Sequence, residues 1–107
     1  MEEGTKFDKG KARWDLLPFA EVEDVVDILT FGAEKYAPNN WQKVKDAKSR
    51  YTAATFRHLV SWIKGNKIDK ESGKSHLAHA ICNLLFLMWF DKQESHKDNL
   101  DFNIKSK

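Results

Sequence analysis

The chain of 107 residues has a single cysteine, Cys82, so no intrachain disulfide can form. Set in an apolar run, that thiol reads as a small buried hydrophobe. Proline is as scarce: there are two, Pro18 and Pro38, and both sit where a helix should begin or end. Net charge is nearly absent at +2, too little to mark a nucleic-acid polymer as the partner. The longest apolar run, Leu84–Phe90, is far too short to span a bilayer. The first fifteen residues, MEEGTKFDKGKARWD, lack the apolar stretch of a secretory signal. Repeats and low-complexity segments are missing as well. A single soluble, intracellular domain over residues 1–107 is the expectation, with no membrane partner. A chain of this length supports one modest core, and oligomerisation would help it.

Aromatic residues are plentiful: four Trp and seven Phe. The stretch Ser75–Asp91, SHLAHAICNLLFLMWFD, organises the rest. After Ser75 its polar residues are His76, His79 and Asn83, until Asp91. At about 100° per residue these three fall within an arc of roughly 60° on one side of a helix. A helix apolar nearly all round is a buried one. A narrow polar stripe on it needs partners: structural hydrogen bonds, a metal ion or a ligand.

Residues 1–15 form a polar, basic segment, with Lys6, Lys9, Lys11 and Arg13 around Gly10. It reads either as a frayed terminus or as an extended strap that holds phosphate. Trp14, Leu16 and Leu17 argue that its end is pinned to the core. A first helix should run from Pro18 to Tyr36–Ala37, with Val22, Val25, Val26, Leu29 and Ala33 on its apolar face. Its acidic residues Glu21, Glu23, Asp24 and Asp27 suit the positive end of a helix dipole better than a Mg²⁺ site. The loop at 37–48 carries Trp41, either a lid on the core or a stacking platform. Ser49 is the expected N-cap of a further helix ending near Lys64, before Gly65 and Asn66. Arg50, Arg57 and Ser61 form a second stripe on it. The short loop that follows makes this helix and the central one antiparallel, so that the two polar stripes face each other. The helical core is expected over residues 16–92. Residues 93–107 are expected to be a polar tail, either frayed or short and extended through Leu100, Phe102 and Ile104.

His76 and His79, three apart, can reach one ion, with Asp69 or Glu71 adding oxygen. The sequence has no Cys cluster, no His-Glu-x-x-His and no adjacent His-Asp pair. Arg57 can hold phosphate bidentately, with Lys9, Lys11 and Arg13 completing a cationic cradle. Tyr36 or Trp41 would then stack on a base.

Three segments, KFDKGKARWDLLP, LTFGAEKYAPNNW and FRHLVSWIKGNKIDKESGKSHLAHAICNLLFL, together resemble the N-terminal domain of phage and prophage dATP/dGTP diphosphohydrolases. The resemblance covers Lys6 to about Phe90. It implies handling of purine deoxynucleoside triphosphates, with cleavage between the α and β phosphates. The matching positions are Lys9, Gly10, Lys11, Arg13, Asp15, Lys35, Tyr36, Asn40, Trp41, Arg57, His58, Asp69, Glu71, His76, His79 and Asn83. If the chemistry resides in a second domain of longer members, this chain binds nucleotide without cleaving it.

The combined expectation is an all-α fold: a small bundle of about four helices around one central apolar helix, with an extended N-terminal strap. The leading function is a nucleoside triphosphate pyrophosphohydrolase with a small-molecule nucleotide ligand, working in the host cytoplasm if phage-encoded. Asp69, His76 and His79 would be catalytic. Lys9, Gly10, Lys11, Arg13, Lys35, Tyr36, Asn40, Trp41, Arg57, His58 and Asn83 would bind ligand. Asp69, Glu71, His76 and His79 would hold a divalent metal, Mg²⁺, Mn²⁺ or Co²⁺. A homodimer or higher homo-oligomer is expected. Two other readings stay open: a protein that sequesters nucleotide, and a structural oligomeric domain whose histidines are hydrogen-bonded core.

Overall fold

The structure, a computed structural model, describes residues 3–105, and side chains over residues 3–95. Among these it is all-helical, with three α-helices: α1 (Phe19–Lys35), α2 (Ala47–Ile63) and α3 (His76–Lys105). The bundle expected to have about four helices thus has three. The stretches Trp14–Leu16 and Asn40–Lys43 are single 3₁₀ turns.

Helix α1 starts directly after Pro18, whose carbonyl accepts the Val22 N–H at 3.1 Å. It buries Val25 and Ile28. Helix α2 starts earlier than expected. Its N-cap is Asp46, held at φ 56° with no side-chain cap bond, and Ser49 lies inside the first turn. At the other end Gly65, at φ +96°, closes the helix as a left-handed cap, and its N–H bonds the Trp62 carbonyl at 3.0 Å. The connection to α3 contains one antiparallel bridge, Ile68 to Ser75. Ser75 then caps α3, its hydroxyl accepting the Leu77 N–H at 3.0 Å.

Helix α3 packs against both other helices, and its small residues carry the core. Val25 and Ile28 of α1 meet Ala78 and Cys82 of α3, with Leu29 and Phe86 around them. The Cys82 thiol points at the Val25 carbonyl, 3.5 Å away. Burial pushes that thiol up to about 12, so it stays protonated and inert.

Three expectations need correction. The central helix is not buried all round: Leu77, Ile81, Leu84, Leu85 and Met88 remain 36–54% exposed. Two neighbouring helices cannot wrap the whole circumference of a third. Residues 93–105 form the last turns of α3 in place of an extended tail. The packing of Leu100, Phe102 and Ile104 lies outside the described side chains. Trp14 and Leu16 are 72% and 69% exposed, so they do not pin the N-terminal segment to the core. Residues 3–13 hold a turn at Lys9–Gly10. No helix among the described residues is long and apolar enough to cross a membrane.

Candidate functional site

A cleft of about 870 Å³ opens between α1, the Trp41 loop, and the α2–α3 pair. This is within the size range of small-ligand sites. One wall is apolar, from Ile28, Leu29 and Phe31. Another is aromatic, and Trp41 supplies it by folding back on α3. Its ring stacks on Phe86 (4.4 Å between centroids, 15° between planes) and meets Trp89 edge-on at 5.2 Å. The Tyr51 hydroxyl donates to the Trp41 carbonyl at 3.1 Å and fixes the loop. Of the two roles open to Trp41, the structure gives it the core-covering one, with an edge left on the cleft.

The polar end is built by the α2–α3 hairpin. His58 of α2, and not Arg57 or Ser61, makes the contacts with the α3 stripe. Its Nδ1 lies 2.8 Å from His76 Nδ1. Its ring stacks on that of His79 at 4.6 Å and 10°. In such a nitrogen–nitrogen pair one ring donates and the other accepts, so the two rings are not both protonated.

The loop between the helices brings in Asp69. Its turn is closed by Asp69 N–H to the Lys74 carbonyl and by Gly73 N–H to the Asp69 carbonyl, both at 2.8 Å. Gly73 sits at φ +72°, which a side chain would strain. The Ser72 N–H and hydroxyl both donate to Asp69 Oδ2 at 3.0 Å. His79 Nε2 lies 2.6 Å from the Ser72 hydroxyl and 3.4 Å from Asp69 Oδ2. With the Ser72 proton given to Asp69, His79 carries its hydrogen on Nε2, leaving Nδ1 as its acceptor.

Burial sets the charges. It pushes His58 down to about 4, aided by His79 and His76, against a smaller upward pull from Asp69. It also lowers His79, opposed by Asp69. Burial works to raise Asp69, but the Ser72 N–H and hydroxyl together with His79 outweigh it and hold the carboxyl below its usual range. Near neutral pH the site therefore sets an uncharged His58 imidazole beside an ionised Asp69 carboxylate.

Three ion pairs anchor this loop to α1. Lys74 reaches Asp27 at 2.9 Å and Asp24 at 3.4 Å, and Lys35 pairs with Glu71. The carboxylates of α1 thus serve as a clamp on the loop, beyond the dipole role expected of them.

The sequence-predicted residues divide into two groups. Lys35, Tyr36, Asn40, Trp41, Arg57, His58, Asp69, Glu71, His79 and Asn83 all line the cleft. His76 sits beside it, bonded to His58. Lys9, Gly10, Lys11 and Arg13 are not among its lining residues. Arg13 instead forms a fork with Asp15 at 2.9 and 2.7 Å, and Lys11 lies 3.9 Å from Asp8. Among the described residues, the side chains that converge enough to share one ion are His58, Asp69 and His76, whose ligand atoms all lie within 4.8 Å of one another. Glu71 is engaged by Lys35, and His79 by Ser72. Sequence reasoning placed Ser72 in the loop beside Asp69 without giving it a role, and overlooked Tyr51. Ser72 was signalled by its place three residues after Asp69, the spacing of a side chain-capped turn. Tyr51 carried no signal.

Comparison with known proteins follows the same lines. Residues 1–100 match the family described as dATP/dGTP diphosphohydrolase, N-terminal. A protein of Salmonella phage PMBT28, described as a dATP/dGTP diphosphohydrolase, is 40% identical over 86 residues. That match covers 80% of this chain but 29% of the phage protein, so the chain spans under a third of its relative. No solved structure matches the chain. The protein belongs to the dATP/dGTP diphosphohydrolase N-terminal family.

Proposed function

We propose that this chain binds a purine deoxynucleoside triphosphate in the cleft and hydrolyses it between the α and β phosphates, releasing the nucleoside monophosphate and pyrophosphate. The observation that carries this reading is the pairing of His79 with Asp69, Nε2 to Oδ2 3.4 Å, inside a cleft also lined by Arg50, Arg57 and Lys35. Guanidinium groups suit polyphosphate oxygens, and Arg57 and Arg50 are the forks for them. His79 Nδ1 takes a proton from the attacking water. The resulting imidazolium is stabilised by Asp69, against the Nε2 side of the ring. The water oxygen bonds to the α phosphorus as the α–β bridging bond breaks, and the electron pair leaves on pyrophosphate. Asn40, Asn83 and the Trp41 edge are available to the base.

The relative's much greater length supports a second reading, in which this segment captures nucleotide and the chemistry lies elsewhere in longer proteins. One experiment separates the two. The chain is incubated with dATP, dGTP, dCTP and dTTP in separate reactions, with and without Mg²⁺, Mn²⁺ or Co²⁺, and the products are resolved by anion-exchange chromatography. Hydrolysis yields dAMP or dGMP with pyrophosphate. Capture yields a stoichiometric complex whose triphosphate is recovered intact. Neither outcome with any nucleotide overturns both readings and leaves a structural module.

A further inference from the structure

We propose that His58, Asp69 and His76 form a binding site for one divalent transition-metal ion of the Zn²⁺ or Co²⁺ class. The ligand set differs from the one expected from the sequence, since it draws on α2 and dispenses with Glu71 and His79.

The geometry is the argument. Two imidazole nitrogens face each other at 2.8 Å, and a carboxylate oxygen completes a group spanning no more than 4.8 Å. Ions of this class hold nitrogen and oxygen ligands at about 2.0–2.2 Å. Adjacent ligands on such an ion are therefore ~3 Å apart in an octahedral arrangement and slightly more in a tetrahedral one. The observed nitrogen–nitrogen distance lies close to that span, and side-chain movement of about 1–2 Å would bring the carboxylate oxygen, within 4.8 Å, onto the same ion. Two nitrogens and one oxygen favour a borderline transition ion over Mg²⁺ or Ca²⁺, which prefer oxygen. Three protein ligands leave positions open for water or a phosphate oxygen.

The surroundings are those of a prepared ligand. Both Ser72 bonds and the His79 contact fall on Asp69 Oδ2, which orients the carboxylate and makes Oδ1 the oxygen for the ion. The loop bearing Asp69 is fixed at both ends, by the Ile68–Ser75 bridge and by the Lys74 clamp on Asp24 and Asp27. His58 is braced by its stack on His79. The site needs no nucleotide, so it stands independently of the hydrolytic reading.

The test uses the full chain, stripped with a chelator and titrated with Co²⁺ in the absence of nucleotide. The expected result is visible d–d absorption that saturates at one ion per chain and is displaced by Zn²⁺ but not by equimolar Mg²⁺. His58→Gln and His76→Gln should each weaken binding at least tenfold, while Glu71→Gln weakens it far less. Should the histidine variants fail to fold, imidazole resonances of the unmodified chain serve instead. Co²⁺ should then shift those of His58 and His76 most strongly. No saturable absorption overturns the proposal, as does tight binding that survives both histidine changes, or a shift confined to other histidines. Because nucleotide is left out, failure here leaves the hydrolytic reading standing, and failure of hydrolysis leaves the ion site standing.

Discussion

Under the proposed reaction, His79→Ala is expected to lower the rate of dATP or dGTP hydrolysis by about 10²- to 10⁴-fold, the usual contribution of a positioned general base. The loss should fall on kcat, with KM nearly unchanged, because the ring is assigned to the proton and not to the phosphates. His79 is half-buried among polar partners, so its truncation leaves the apolar core of Val25, Ile28, Ala78 and Cys82 intact. Circular dichroism of the variant should therefore stay native. Asp69→Asn provides the graded companion. It keeps an acceptor for Ser72 but removes the charge that stabilises the imidazolium, so it should also lower kcat. Arg57→Gln should act the other way, raising KM through a lost phosphate contact. Pyrophosphate release measured over a substrate series reads all three. Full activity in a folded His79→Ala chain would sink the assignment of the base.

Trp41→Ala is expected to cost the chain a large share of its stability. Truncating a fully buried Trp costs about 3–5 kcal/mol. Trp41 is half-buried, so ~2–4 kcal/mol is the reasonable scale, including the 0.5–1.5 kcal/mol that an aromatic pair adds beyond its area. At about 4–8 °C per kcal/mol for a domain of this size, the melting temperature should fall by roughly 10–30 °C. The loss has named parts: the stack on Phe86, the edge contacts with Trp89 and Phe90, and the anchoring of the loop between α1 and α2. Trp41→Phe should restore most of it. Thermal unfolding followed by far-ultraviolet circular dichroism measures both variants without any ligand. A fall of only two or three degrees for Trp41→Ala would mean that the loop is not held by this ring.

The two prolines made the limits of α1 legible, because Pro18 starts it and Pro38 forbids its continuation. Gly65 marked the end of α2, and the short loop after it made α2 and α3 an antiparallel pair. Loop length does not fix rotation about a helix axis. One residue of error turns a face by about 100°, which is why Arg57 was expected where His58 stands. The beginning of α2 was hidden because Asp46 adopts a left-handed conformation with no side-chain cap bond, while Ser49, a good cap by type, falls inside the helix. The polar end of the cleft was legible as a stripe of His76, His79 and Asn83. Its other half was not, because the Ser72 contacts depend on the tight turn at Gly73. The alternation at residues 100–104 pointed to an extended tail, but the backbone simply continues the preceding helix. The cations of residues 9–13 were legible as charge only, and their nearest carboxylates, Asp8 and Asp15, lie beside them in sequence.

The placement of every histidine and aspartate of the site between residues 58 and 79 bears on the order in which the molecule assembles. The α2–α3 pair is joined by a short connection and carries that cluster by itself. The contacts that seat α1 span far more chain: 57 residues from Cys82 to Val25 and 50 from Lys74 to Asp24. Two doublings of loop length add only ~1.2 kcal/mol of closure entropy, but α1 offers just two buried apolar side chains, Val25 and Ile28, in return. The hairpin is thus expected to form first, with its polar cluster already in register, and α1 to dock afterwards and turn an open surface into a cleft. Native-state hydrogen exchange should then find α1 amides opening at lower free energy than those of α2 and the first half of α3.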